Sequence, residues 1–196
     1  MFETVLILKP WRCFKGTEMI NFRHGVNLIV GDQGSGKSSL YQGICVHGMK
    51  KPKSIQLPRK EEVPFILDYR DEPLPVFAFD FEKDNYRTKA RFDDDIAFHV
   101  GTFWKSHGEM VLAMIADVEG IDKPAIVIMD EPDMALSIRS CRRLVRAFQH
   151  IEDLGGQVIA TAHNPVLIEG FETVYSLEHG EWMTGKDFIK TQIDEN

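Results

Sequence analysis

Apolar and polar positions along the chain follow two rhythms. Short runs rich in β-branched residues occur at TVLILK (4–9), EMINF (18–22), VNLIV (26–30) and LPVFAFDF (74–81). Others follow at AIVIM (125–129), QVIATA (157–162) and TVYSLE (173–178), the last closing with GEWMT. Gly, Pro or charge sets each run off from its neighbours, and each predicts a strand. AIVIM is uninterrupted, which is the pattern of a strand buried on both faces of a parallel sheet. The helical rhythm appears in three places. One stretch follows GDQGSGKSS and reaches about Ile44. A second starts from Ser106, with Met110, Leu112, Ala113, Met114 and Ile115 on its buried side. A third runs from about 135 to 152, where Cys141, Leu144, Val145, Phe148 and Ile151 recur at helical spacing and Arg139, Arg142, Arg143 and Arg146 occupy the remainder. Strands alternating with helices in this order predict an α/β domain, its mainly parallel sheet covered by helices on both faces. Residues 49–75 break both rhythms. They are rich in proline and charge, and read as a surface excursion or small subdomain of a single domain spanning 1–196. The polar residues 82–95 read as a loop.

Composition narrows the class. A chain of 196 residues with 43% hydrophobic content buries one substantial core but hardly two. The formal charge of −7 argues against a general nucleic-acid coat and leaves room for a local basic patch. Cys13, Cys45 and Cys141 are scattered with no CxxC pair, which fits reduced, mostly buried thiols better than a disulfide frame or a zinc site. No apolar run approaches a membrane span, and the first residues read as a strand, so the expected compartment is the cytoplasm.

Gly31-Asp32-Gln33-Gly34-Ser35-Gly36-Lys37-Ser38 fits G-x-x-x-x-G-K-[ST] and lies between a predicted strand and a predicted helix, with Ser39 following. Glycines let such a loop curl its N–H groups around phosphates. Lys37 supplies a point charge to the β- and γ-phosphates, Ser38 a hydroxyl for Mg²⁺, and the helix start a positive dipole end. The plainer reading is a glycine-rich turn that binds nothing. AIVIM then ends on two acids. Asp130 is placed to hold Mg²⁺, and Glu131 to orient and deprotonate an attacking water. Alone, that pair could also be a turn closing a core strand.

Four further features carry a family resemblance. Asp130-Glu131-Pro132 continuing as DMALS resembles the Walker B and D-loop stretch of ABC-type ATPases. VIATAHNP resembles their strand-plus-histidine switch, and Ser106-His107-Gly108-Glu109 aligns with their signature loop. The opening order of a strand, WRCFKGTEMINF and then a strand into the P-loop resembles the SMC/RecF-like, non-transporter branch. The chain resembles small, single-domain ATPases of ABC type that carry SHGE in the signature position. That resemblance implies a P-loop NTPase fold of ABC-ATPase type with a small N-terminal antiparallel β region. It also implies Mg-ATP hydrolysis, with His163 sensing the γ-phosphate. Ser106 and Gly108 would cap the ATP of a second copy, in a head-to-tail homodimer enclosing two ATP. Ser106 with Glu109 also makes a helix capping box, and both roles are compatible.

The sequence departs from the family at three places. There is no glutamine between Gln56 and Gln149 for the Q-loop, so Asp80 or Glu82 would substitute. Ser137 stands where the D-loop aspartate is expected. Adenine stacking falls to Trp11, Phe14 or Arg12. These features favour an ATPase serving a DNA- or protein-directed process. The alternatives are a nucleotide-binding subunit of a membrane transporter, or a regulatory module that holds ATP without turnover. The arginines of the third helix, and Lys50, Lys51, Lys53, Arg59 and Lys60, could contact nucleic acid or simply face solvent.

Overall fold

The computed structural model describes residues 1–49, 57–72, 74–80, 107–134 and 136–194. The chain order is β1 (Phe2–Ile7), β2 (Met19–Asn21), β3 (Gly25–Val30), α1 (Lys37–Gly48), a 3-10 turn (Lys60–Glu62), β4 (Phe65–Tyr69) and β5 (Val76–Asp80). Then follow α2 (His107–Glu119), β6 (Ile126–Asp130), α3 (Ile138–Asp153), β7 (Gln157–Thr161), α4 (Pro165–Ile168), β8 (Thr173–Ser176), β9 (Glu181–Thr184) and α5 (Gly185–Asp194).

Among the described residues the strands form two sheets. The larger has the order β5-β6-β7-β3-β8-β9 and is parallel except for the last pair. The smaller, β2-β1-β4, is antiparallel throughout. The α/β architecture and the N-terminal antiparallel region are as expected.

Strand alternation splits the core into two layers. Leu28, Val30, Val127, Met129, Val158 and Ala160 pack toward α2, α3 and α4. Ile29, Ile126, Ile128 and Ile159 pack the other way, toward α1 and the antiparallel sheet. Gln157, buried at the base of β7, ties the two sheets together. Its Oε1 accepts from the Phe2 N–H and its Nε2 donates to the carbonyls of Phe2 and Arg23, at 2.9, 2.9 and 3.1 Å.

Several boundaries differ from the sequence expectation for local reasons. α1 runs one turn past Ile44 because Cys45 and Val46 are buried with it. α3 begins at Ile138, where Ser137 caps it by accepting from the Ser140 N–H at 3.2 Å. The residues before it form a turn, with Met134 N–H donating to the Glu131 carbonyl and Leu136 N–H to that of Asp133. Part of 49–75 proves to be β4, which among the described residues pairs with β1 alone and keeps only Phe65 fully buried. The expected loop at 82–95, and Lys50, Lys51, Lys53, Gln56, Glu82, Ser106 and Ala135, lie outside the described residues.

Candidate nucleotide site

The parallel strands β3, β5, β6 and β7 end on one edge of the sheet, the side on which ligand sites of α/β folds gather. A cleft of about 510 Å³ opens there. It is lined by Gln33, Gly34, Gly36, Lys37, Ser38 and Ser39 from the loop before α1, and by Asp130, Glu131 and His163 from β6 and β7. The loop and both strand ends, far apart in sequence, therefore meet around one space.

The cradle requires glycine for a visible reason at Gly36. Its φ is +109°, and a Cβ there would sit 2.4 Å from the Cys13 sulfur. Gly31, Asp32 and Ser35 form the back of the loop. Lys37 is only 4% exposed, and its Nζ donates to the carbonyls of Gly31 and Asp32 at 2.7 and 2.8 Å and to Ser35 Oγ at 3.4 Å. Burial pulls the Lys37 ammonium below its ordinary range. The carboxylates of Glu131, Glu178, Asp130 and Asp32 pull the other way without reversing it. A polyanion entering the cleft would supply the charge this cation lacks.

The acidic wall is held by a residue the sequence reading passed over. Thr161, the last residue of β7, donates its hydroxyl to Asp130 Oδ1 at 2.8 Å and accepts the Glu131 N–H at 2.7 Å. Glu131 has φ +48°, a left-handed conformation that a non-glycine residue adopts only under constraint. That turn aims its side chain at His163, whose Nε2 lies 2.9 Å from Glu131 Oε1. A carboxylate can only accept, so the proton of that contact sits on Nε2.

Mg²⁺ takes hard oxygen ligands and keeps several waters, so it needs few protein groups beside substrate phosphates. The Ser38 hydroxyl and the Asp130 carboxylate line the same cleft and meet that need. Among the described residues no cluster of three or more His, Cys, Asp or Glu side chains is placed to hold a metal by protein ligands alone.

Other candidates separate clearly. Phe14 is buried and packs edge-on against Phe65, so it belongs to the core and not to a base-stacking surface. Trp11 also packs edge-on against Phe65, with the Arg12 guanidinium 4.5 Å over its ring. Arg12 itself lines the cleft and donates to Ser39 Oγ at 3.3 Å. Asp80, expected to stand in for the Q-loop glutamine, ends β5 in register with Asp130, which sets its backbone at the same end of the sheet. Gly108 lies in the first turn of α2. The sequence reading also missed Cys13, Gln42 and Met134 in the cleft wall, and Glu178, whose Oε1 accepts the Asp32 N–H at 2.5 Å. The signal available for Thr161 was a hydroxyl closing an otherwise apolar strand.

A model of the family described as "AAA domain" matches residues 6–107, just over half of the chain. The chain belongs to the AAA-domain family of ABC-type P-loop ATPases. A second model, described as "AAA domain, putative AbiEii toxin, Type IV TA system", matches residues 61–169 of this AAA domain. The AAA domain is 35% identical over 108 residues to the DNA double-strand break repair Rad50 ATPase of Thermococcus kodakarensis, a match covering 52% of this chain and 11% of that protein. It is 32% identical over 65 residues to ABC transporter G family member 46 of Oryza sativa subsp. japonica, covering 32% and 4%. The AAA domain thus corresponds to a small part of the length of these curated relatives.

Among solved structures, the SMC head domain of Thermotoga maritima aligns over 90% of this chain and 94% of its own, with TM-score 0.53 and 16% identity. An ABC transporter component from Clostridium perfringens aligns over 97% and 92%, with TM-score 0.57 and 14% identity. At such identities these matches show the fold. Among the described residues no helix is long and apolar enough to cross a membrane.

Proposed function

We propose that this AAA domain binds Mg-ATP and hydrolyses it to ADP and phosphate. In this reading the active form is a head-to-tail dimer of two copies enclosing two ATP, acting in a DNA- or protein-directed process. The observation that carries the reading is the Glu131–His163 contact, 2.9 Å long, in the same cleft wall that faces Lys37 and Ser38. A module that only holds ATP has no use for a carboxylate oriented in this way.

Lys37 would leave the carbonyls of Gly31 and Asp32 for the β- and γ-phosphates, exchanging two neutral acceptors for charged ones. The loop N–H groups and the start of α1 would hold the phosphate oxygens. Ser38 and Asp130 would hold Mg²⁺, which when bound neutralises charge on the β- and γ-phosphates. Glu131 would orient the attacking water and take its proton, and His163 would keep that carboxylate aimed. Ser106 and Gly108 would reach the ATP of the second copy.

The longer match to a DNA-repair ATPase, 52% of the chain against 32% for the transporter relative, supports the DNA-directed form over a transporter subunit. The test compares Glu131→Gln with the double variant Glu131→Gln/Ser106→Arg, by mass in solution with and without Mg-ATP. Glu131→Gln is expected to lose turnover, keep nucleotide binding and dimerise only with Mg-ATP, and Ser106→Arg to prevent that dimer. A monomer under every condition would remove the dimer mechanism. Stimulation of wild-type ATPase by DNA would separate the DNA-directed form from the protein-directed one.

A further inference from the structure

Asp133 is 4% exposed, more deeply buried than either acid that precedes it on the Walker B edge. Its Oδ2 accepts two consecutive backbone N–H groups, from His163 at 2.8 Å and from Asn164 at 2.5 Å. Its Oδ1 has no hydrogen-bond partner among the described residues. A buried carboxylate with an orphaned oxygen costs free energy. Such a group calls for an explanation beyond packing.

The bonds it does make supply one. Asp133 shares a tight turn with Glu131, closed by the Met134 N–H donating to the Glu131 carbonyl at 3.1 Å. Across the cleft edge it grips the backbone of His163, whose ring returns to Glu131. It also grips Asn164, whose Oδ1 accepts the Val166 N–H at 2.9 Å and so caps α4. Glu131, Asp133 and His163 therefore form a closed ring of contacts. The Thr161 hydroxyl already ties the ends of β6 and β7 together. What Asp133 adds is the placement of the residue after that strand.

We infer that Asp133 is a positioning residue for hydrolysis: it fixes the His163 backbone so that the imidazole meets Glu131. This rests on the hydrolytic reading above and adds a residue to it. In this reading Asp133 acts through His163, whose backbone N–H it accepts.

The experiment is a double-mutant cycle on steady-state ATPase at saturating Mg-ATP, with nucleotide affinity measured in parallel. A misplacement of about 1 Å in a catalytic group can cost about 100-fold in rate. Asp133→Ala and His163→Ala should each show a loss of that order with nucleotide affinity unchanged, and the double variant should be no slower than either alone. Asp133→Asn, whose amide oxygen accepts the same N–H groups, should recover most of the rate. Additive losses, or a loss of affinity equal to the loss of rate, would overturn the inference. If Asp133→Ala does not fold, the near-isosteric Asp133→Leu takes its place.

Wild-type protein without turnover, or His163→Ala turning over at the wild-type rate, would overturn the hydrolytic reading itself. The positioning claim is then decided by the ¹⁵N signal of His163 Nε2 in the nucleotide-free protein. Glu131→Gln and Asp133→Ala should move that signal alike, and Asp133→Asn should leave it in place. A signal that ignores Asp133→Ala overturns the claim.

Discussion

At the residue scale, the site depends on polar groups that sit between the obvious ones. Thr161 is 3% exposed and serves two acids with one hydroxyl, donating to Asp130 and accepting from Glu131. Thr161→Val keeps the shape and removes both bonds, leaving a backbone N–H without its acceptor in a buried place. The expected loss of stability is about 1–3 kcal/mol, read from urea unfolding. ATPase should fall as well, because the left-handed turn at Glu131 loses its anchor. Thr161→Ser should restore both. A stable Val variant with normal turnover would mean the turn is fixed by other contacts.

At the element scale, α1 has to present the phosphate loop at one angle, and its seat is the antiparallel sheet. Gly43 sits in the helix interior where alanine is ordinarily better by about 1 kcal/mol. Here a Cβ would fall 2.1 Å from Phe65 Cε2, and that ring is held edge-on by Trp11 and Phe14. Overpacking of this kind costs about 1–3 kcal/mol, so it outweighs the propensity gain. Gly43→Ala should destabilise the protein in denaturant titration. It should also weaken nucleotide binding, because tilting α1 moves Lys37 and Ser38 together. A stabilised variant would show that β4 yields easily. On the opposite face, α3 is joined to α2 by Arg143, which donates to both Glu119 oxygens, at 2.8 and 2.5 Å. That bond holds the Glu119 carboxyl below its usual range. Arg139, Arg142 and Arg146 remain exposed on the same helix.

At the scale of the whole molecule, one sheet separates two apolar layers and belongs to both. Phe148, 0% exposed, fills the layer under α3 with Ile115, Leu144 and Val158. Phe148→Ala should cost about 3–5 kcal/mol. Because the strands carry core residues on both faces, the loss should appear as one cooperative transition at lower denaturant concentration with an unchanged slope. Two resolved transitions would mean that the layers melt separately. Excess Mg-ATP should shift the midpoint upward, since a ligand bound only by the folded state stabilises it.

The phosphate loop, the acidic end of β6 and the buried parallel strands were legible in the chain because each is set by local chemistry. Glycines at fixed offsets, two acids closing an apolar run and the period of apolar positions all act within a few residues of themselves. The strand β4 was not legible, because only its first residue is fully buried, so its alternation is weak, and prolines bracket it. Nor was the shift of α3's start, which is decided by the turn that Glu131 and Asp133 build before Ser137. Thr161 and Asp133 each gain meaning from a partner about thirty positions away, across two neighbouring parallel strands. Sequence alone determined which groups could carry the chemistry. Tertiary structure decided which of them meet, because a contact across the edge of a parallel sheet depends on strand order and register.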